Sequence, residues 1–166
     1  MKRLIIINGT MGVGKTTTCL ELQKILPDNV FLDGDWCWSM NPFTVTEETK
    51  AMVIENIVFL LNNFIKCSQY KNIIFCWVMH QQDIIDSIVD RLNISDCDLH
   101  IFSLTCSETA LSSRLKKDIA IGIRTNDILE RSMPRMENYD AIDSIKIDVS
   151  NISPLDAANS IIEYMG

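Results

Sequence analysis

The sequence predicts an α/β three-layer sandwich on a five-stranded parallel sheet, and three observations lead there. Short apolar β-rich runs alternate with longer segments of helical period along the chain. The runs Leu4–Asn8 and Asn72–Met79 are apolar on both faces, as strands covered by helices on each side read. No internal repeat, low-complexity tract or linker interrupts the pattern, so residues 1–166 read as one domain. Such alternation implies parallel strands joined by right-handed crossovers.

The elements follow in order. Leu4–Asn8 is the first strand, ending at Gly9. Lys15–Leu26 reads as a helix with Cys19, Leu22, Ile25 and Leu26 on one face, stopped by Pro27. Asn29–Leu32 is the second strand, closed by Asp33-Gly34-Asp35. Thr46 is placed to cap a helix running to about Cys67, with Glu47 and Glu48 complementing its dipole. Asn72–Met79 is the third strand, Gln82–Leu92 a helix and Leu99–Leu104 the fourth strand. Ser107 can cap a helix carrying Leu111, Leu115 and Ile119 that ends near Gly122, and Thr125 another over Asn126–Asn138. Ser144–Val149 is the fifth strand, and Ser153-Pro154 opens a terminal helix, with Pro where no N–H is needed.

Composition narrows the function classes. With 47% hydrophobic and 22% charged residues the chain is globular rather than disordered. Its net charge is −7 and it has no dense run of Lys or Arg, which argues against nucleic-acid binding. The basic-then-apolar start MKRLIII has an apolar stretch of only Leu4 to Ile7 and no cleavage site after it, so it does not read as a signal peptide. No run approaches the roughly 18 apolar residues of a spanning helix. The six cysteines form no C-x-x-C pair and read as reduced core thiols, which places the chain in the cytoplasm.

GTMGVGKT, Gly9 to Thr16, fits G-x-x-x-x-G-K-[ST] at every fixed position, after a strand and before a helix. Gly9, Gly12 and Gly14 let the backbone approach a phosphate without Cβ clashes. Successive N–H groups from Met11, Gly12, Val13 and Gly14 through Lys15, Thr16 and Thr17 make an anion nest at the positive end of a helix. Lys15 supplies a point charge for the β- and γ-phosphates of ATP, and Thr16 a hydroxyl for Mg²⁺. Two GTPase signals are missing, N-K-x-D for guanine and D-x-x-G, and the best hydrophobic strand, IIFCWVMH, ends at His80 rather than at a carboxylate that would activate water.

After the second strand comes LDGDW, Leu32 to Trp36. Carboxylates spaced i, i+2 at a strand's C-terminal edge point the same way, toward the crevice where α/β sheets bind ligands. Here the chain resembles the small P-loop kinases: gluconate, shikimate and adenylylsulfate kinases and chloramphenicol phosphotransferase. The resemblance implies strand order 2-3-1-4-5, with Asp33 on the metal side and Asp35 as the base that orients and deprotonates an acceptor hydroxyl. SETALSSRLKKDIAIGIRTNDILERSMPRM looks like the lid of these kinases, which places a lid near residues 112–138. It implies Arg114 near adenine and phosphates, and Arg124, Arg131 and Arg135 as stabilisers of the transferring phosphoryl group. Asp118 stands where the family has a second Arg, and Ser113 where it has an acid. The DGDWCW segment also resembles that of an uncharacterised bacterial nucleotide-kinase group, a likeness that names no substrate.

All three tryptophans fall in two segments beside this crevice: Trp36 and Trp38 after Asp35, and Trp77 near His80. They read either as a stacking wall for the acceptor or as core packing beside Met40 and Met79. With Asp35, we take Trp36, Trp77 and His80 as acceptor-side residues. Trp36 to Glu48 contains no Lys or Arg, which favours a small hydroxyl acceptor over a nucleoside monophosphate. A nucleotide-binding regulator or slow NTPase without acceptor, and an interaction domain with a relict loop, are the competing classes.

Overall fold

A computed structural model describes residues 1–166. Its strands are β1 (Lys2–Asn8), β2 (Asn29–Asp33), β3 (Asn72–Cys76), β4 (Cys97–Thr105) and β5 (Ile145–Asp148), all parallel, in the order β2-β3-β1-β4-β5. The helices are α1 (Lys15–Ile25), α2 (Glu47–Lys66), α3 (Gln82–Val89), α4 (Glu108–Ala120), α5 (Ile128–Ser132) and α6 (Pro154–Met165). The sheet is the middle layer. Leu4, Ile6, Leu32, Ile73 and Phe75 face α2 and α3 through Val53, Ile57, Leu61, Ile85 and Ile88. Ile5, Ile7, Phe31, Ile74 and Phe102 face α1 and α6 through Cys19, Leu22, Ala157, Ala158 and Ile161. Successive residues of one strand thus serve opposite cores, which is why the strand centres Leu4–Ile7 and Ile73–Cys76 are apolar at every position.

Caps sit where short polar side chains were expected. Thr46 and Thr49 form a reciprocal capping box, Ser153 pairs likewise with Asp156, and Ser107 Oγ accepts from Ala110 N. Each cap satisfies first-turn N–H groups that have no intrahelical partner.

Several expectations are corrected. Ile25 lies at the margin of the α1 stripe and is 42% exposed, while Lys15 and Thr18 join Cys19 and Leu22 on the buried side. Strand β3 stops at Cys76 rather than Met79 because the buried Asn8 side chain takes over the main-chain partners beyond it. Its Oδ1 accepts from Gly9 N (2.8 Å) and Met79 N (2.9 Å), and its Nδ2 donates to Met79 O (2.7 Å). No long helix spans 126–138: α5 is short and a 3₁₀ segment, Met133–Ala141, continues it. Thr125 does not cap it, since its hydroxyl is spent on the Asp127 carboxylate. Of the six free cysteines only Cys19 and Cys76 are buried, the other four being half-buried. No helix is long and apolar enough to cross a membrane.

Candidate active site

Strand β1 lies between β3 and β4, and its register brings Asn8 level with Ser103 and Ile7 level with Cys76, which in turn is level with Asp33. The loop after β1 and the residues after β2 and β3 therefore emerge at one edge, where strand order reverses and open α/β sheets bind ligands. A cleft of about 1270 Å³ opens there.

Its floor is the loop Gly9–Gly14. Gly12 has φ +82°, and a Cβ on it would lie 2.4 Å from Leu115 Cδ2, so the tight turn against α4 admits only glycine. Gly14 enters α1 at φ +108° with no side-chain cap, so the first N–H groups of α1 are left for a ligand, unlike those of α2, α4 and α6. Met11, Gly12, Val13, Gly14, Lys15, Thr16 and Thr17 all line the cleft. Gly9 does not. It is packed behind the loop, where a Cβ would meet Leu104 O and Val13 Cγ1 at 2.8 Å. Lys15 is buried and donates to Thr10 O (3.0 Å). Burial lowers its pKa from the usual lysine value; Cys76, Asp35 and Asp33 oppose this, and Arg124 adds to it. An anion beside Lys15 would relieve that cost.

Two carboxylates follow β2, and they are held differently. Asp33 ends the strand almost fully buried: its Oδ2 accepts from the Thr16 hydroxyl (2.7 Å) and its Oδ1 from Asp35 N (3.0 Å), capping the 3₁₀ turn Gly34–Trp38. Asp35 therefore lies in a turn and not two residues along a strand, so its direction is set by that cap rather than by strand alternation. It is exposed to the cleft, and its Oδ1 accepts from Trp77 Nε1 (3.1 Å). Trp77 reaches it by crossing Gly34, where a Cβ would stand 2.4–2.9 Å from three Trp77 atoms. Gly34→Ala is expected to push Trp77 aside at a cost of about 1–3 kcal/mol, read as a lower melting temperature with an altered near-UV circular dichroism band.

Thr16 and Asp33 fit Mg²⁺ as far as this chain can. Their two oxygens already converge, and no cluster of three or more His, Cys, Asp or Glu offers a closed protein cage. Mg²⁺ takes few protein ligands and completes its octahedron with water and phosphate oxygens.

Arginines of the segment between β4 and β5 line the opposite wall. Arg114 donates through Nη1 to Val13 O (3.1 Å) and through Nη2 to Val149 O, tying the loop to the turn before α6. Arg124 Nε donates to Asp118 Oδ2 at 3.1 Å, Arg131 pairs with Asp127 at 3.2 Å, and Arg135 faces His80. Asp118, at the position that departs from the kinase pattern, thus holds Arg124. The loop is tied to this wall by Thr10 Oγ1, which donates to Ser132 O (3.1 Å).

On the remaining side stand Trp38, Met40, Phe43, Val45, Ile54 and Trp77, with His80 and Asp83. Trp36 lies outside the cleft, 60% exposed and edge-on to Phe31 at 5.2 Å. The segment's other tryptophan, Trp38, takes the position expected of it. Asn8 was not legible as a site residue, because nothing in an apolar run marks an amide that will bridge two loops. His80 lines the cleft with its Nδ1 buried and unpartnered. Burial, with the Arg135 charge beside it, lowers its pKa from the ordinary 6.5. The unfolded chain then takes up this proton first as pH falls, so the contribution to stability is full above about 6.5 and fades toward acid. His80→Gln is expected to narrow the difference in melting temperature between about pH 5.5 and 7.

No curated protein matches the chain. Among solved structures it is similar to the tunicamycin resistance protein of Deinococcus radiodurans, at 18% identity and TM-score 0.75 over 100% of this chain and 96% of that one. It is similar to a sugar kinase of a Janibacter species, at 13% identity and TM-score 0.74 over 99% and 95%. It also resembles a gluconokinase of Sinorhizobium meliloti, at 14% identity and TM-score 0.70 over 98% and 93%. These likenesses are of fold, and the fold is that of the small P-loop kinases, in the strand order expected. Residues 5–134 match the AAA domain family model, spanning the phosphate loop, the carboxylate turn and most of the arginine wall, and the chain belongs to that family.

Proposed function

We propose that the protein transfers the γ-phosphoryl group of ATP to the hydroxyl of a small molecule. One observation carries this reading: a single cleft joins an uncapped helix N-terminus and buried Lys15 to the exposed carboxylate of Asp35, with room for a nucleotide and a second molecule. The loop amides and Lys15 hold the polyphosphate. Thr16 and Asp33 would hold Mg²⁺, which supplies charge neutralisation on the phosphates. Asp35, fixed by Trp77, accepts the acceptor's proton as its oxygen bonds to the γ-phosphorus. The bond from that phosphorus to the β,γ-bridging oxygen breaks, and ADP departs with the electron pair. Arg124 and Arg131, which line the cleft, would meet charge on the moving group, and Arg114 and Val149 would flank the nucleoside. The segment near residues 112–138 serves as a lid in this reading, on one domain comprising the whole chain.

Asp35→Asn tests it. Calorimetric binding of ATP·Mg²⁺ should match wild type, while ADP release driven by an alcohol acceptor should fall by about a hundredfold or more. Acceptor phosphorylation that survives in Asp35→Asn removes the proposed base. Nucleotide binding with no acceptor-dependent turnover in wild type would favour a regulator or slow NTPase.

A further inference from the structure

We infer that the acceptor is an uncharged or cationic alcohol presenting a flat or apolar ring, and not a phosphorylated or carboxylated compound. This deepens the phosphotransfer reading above and rests on it.

The carboxylate of Asp35 stands in an aromatic corner. Trp38 meets Trp77 edge-on, with ring centroids 5.6 Å apart and planes at 75°, and meets Phe43 at 5.1 Å and 79°. Trp77 belongs to the core and is itself tied to Asp35, so the corner is rigid where it touches the proposed base. Farther out, Phe43 is 58% and Val45 50% exposed, both lining the cleft. Apolar side chains left uncovered inside a cleft mark surface that a ligand covers. An aromatic edge and face arranged this way favour a flat ring or the methylenes of a cation.

Charge decides the rest. Besides Asp35, this half of the cleft carries Asp83. Its one lysine, Lys50, is matched by the carboxylate of Glu47 at 2.9 Å. Of the cleft arginines, Arg124 and Arg131 are matched by the carboxylates of Asp118 and Asp127, and Arg114 is tied to Val13 O and Val149 O away from the aromatic corner, leaving Arg135, beside His80, as the one without a carboxylate partner on the acceptor side. One unmatched guanidinium against the two carboxylates of Asp35 and Asp83 leaves the acceptor half net negative. An anionic acceptor would approach Asp35 against that field, whereas a neutral or cationic one would not.

Three probes of one shape separate the cases: 2-naphthylmethanol, 2-naphthylmethylamine and 2-naphthoate, each titrated into the full chain in the presence of ADP·Mg²⁺. The alcohol and the amine should bind, with the carboxylate about tenfold weaker or worse. Trp38→Ala and Phe43→Ala should each weaken the alcohol by about tenfold, the heat of ADP binding in the same samples reporting an intact fold. The inference is overturned if the carboxylate binds as tightly as the alcohol, if none of the three binds, or if neither substitution matters. Failure of the phosphotransfer reading looks different: ADP·Mg²⁺ would still bind to wild-type protein, but no alcohol that binds would drive ADP release from ATP·Mg²⁺.

Discussion

Lys15→Met is expected to abolish the rise in melting temperature that ATP·Mg²⁺ produces, while leaving the nucleotide-free protein at least as stable as wild type. The two effects have opposite signs because Lys15 carries a cation that the fold has desolvated. Its ammonium is buried, its pKa is lowered by that burial, and its one hydrogen bond runs to Thr10 O. A methionine fills similar volume without the charge, which removes a desolvation cost. With nucleotide present the balance should reverse, since the same ammonium would meet phosphate oxygens in a dry cradle. A ligand at a hundred times its dissociation constant stabilises by about 2.7 kcal/mol, and this increment is what the variant should lose. Phosphoryl transfer should fall by about a hundred- to a thousandfold, as when a preorganised charge donor is removed. Differential scanning fluorimetry with and without ATP·Mg²⁺ reads both signs, and a retained nucleotide shift would remove Lys15 from the phosphate site.

Arg124→Ala and Asp118→Ala are expected to fail together. Asp118 engages Arg124 through Nε at 3.1 Å, each side chain being 31% exposed. Binding at Nε leaves the outer edge of the guanidinium available, and Arg124 is near enough to Lys15 for its charge to lower that lysine's pKa. Under the proposed transfer, a guanidinium so placed would serve charge that develops on the moving group rather than the resting nucleotide. ADP should therefore bind both variants as it binds wild type. The extra affinity that aluminium fluoride confers on bound ADP, in imitation of the transferring group, should be lost in Arg124→Ala and reduced about tenfold in Asp118→Ala. The double variant should be no worse than Arg124→Ala, because the carboxylate acts only through the arginine. Additive losses would show that Asp118 has a separate role.

Most of the architecture is legible in the chain because it rests on local signals that tertiary packing reinforces. Uninterrupted apolar runs mark strands covered on two faces, Thr46, Ser107 and Ser153 mark helix starts, and the Gly9–Thr16 spacing marks the phosphate loop. The lining of the cleft was legible where a short motif supplies it, as for Lys15 and Thr16 in the loop and Asp33 at the end of β2. It was not legible where side chains from distant segments decide the geometry. Asn8 ends β3 early by bonding to Met79, 71 positions away. Trp77 orients Asp35 across Gly34, and of two neighbouring tryptophans only Trp38 faces the cleft, because a 3₁₀ turn rather than a strand follows Asp33.

By itself, then, the sequence determined the layered sheet, its helices and the loop of bare main chain, since periodicity, caps and glycine spacing act within a few residues. Only the tertiary structure decided which arginine answers to Asp118, which aromatic faces the cleft, and that Asp33 and Asp35 are held by different partners. Those outcomes depend on long-range hydrogen bonds and close contacts between segments, and no local pattern encodes a partner that the chain meets only once folded.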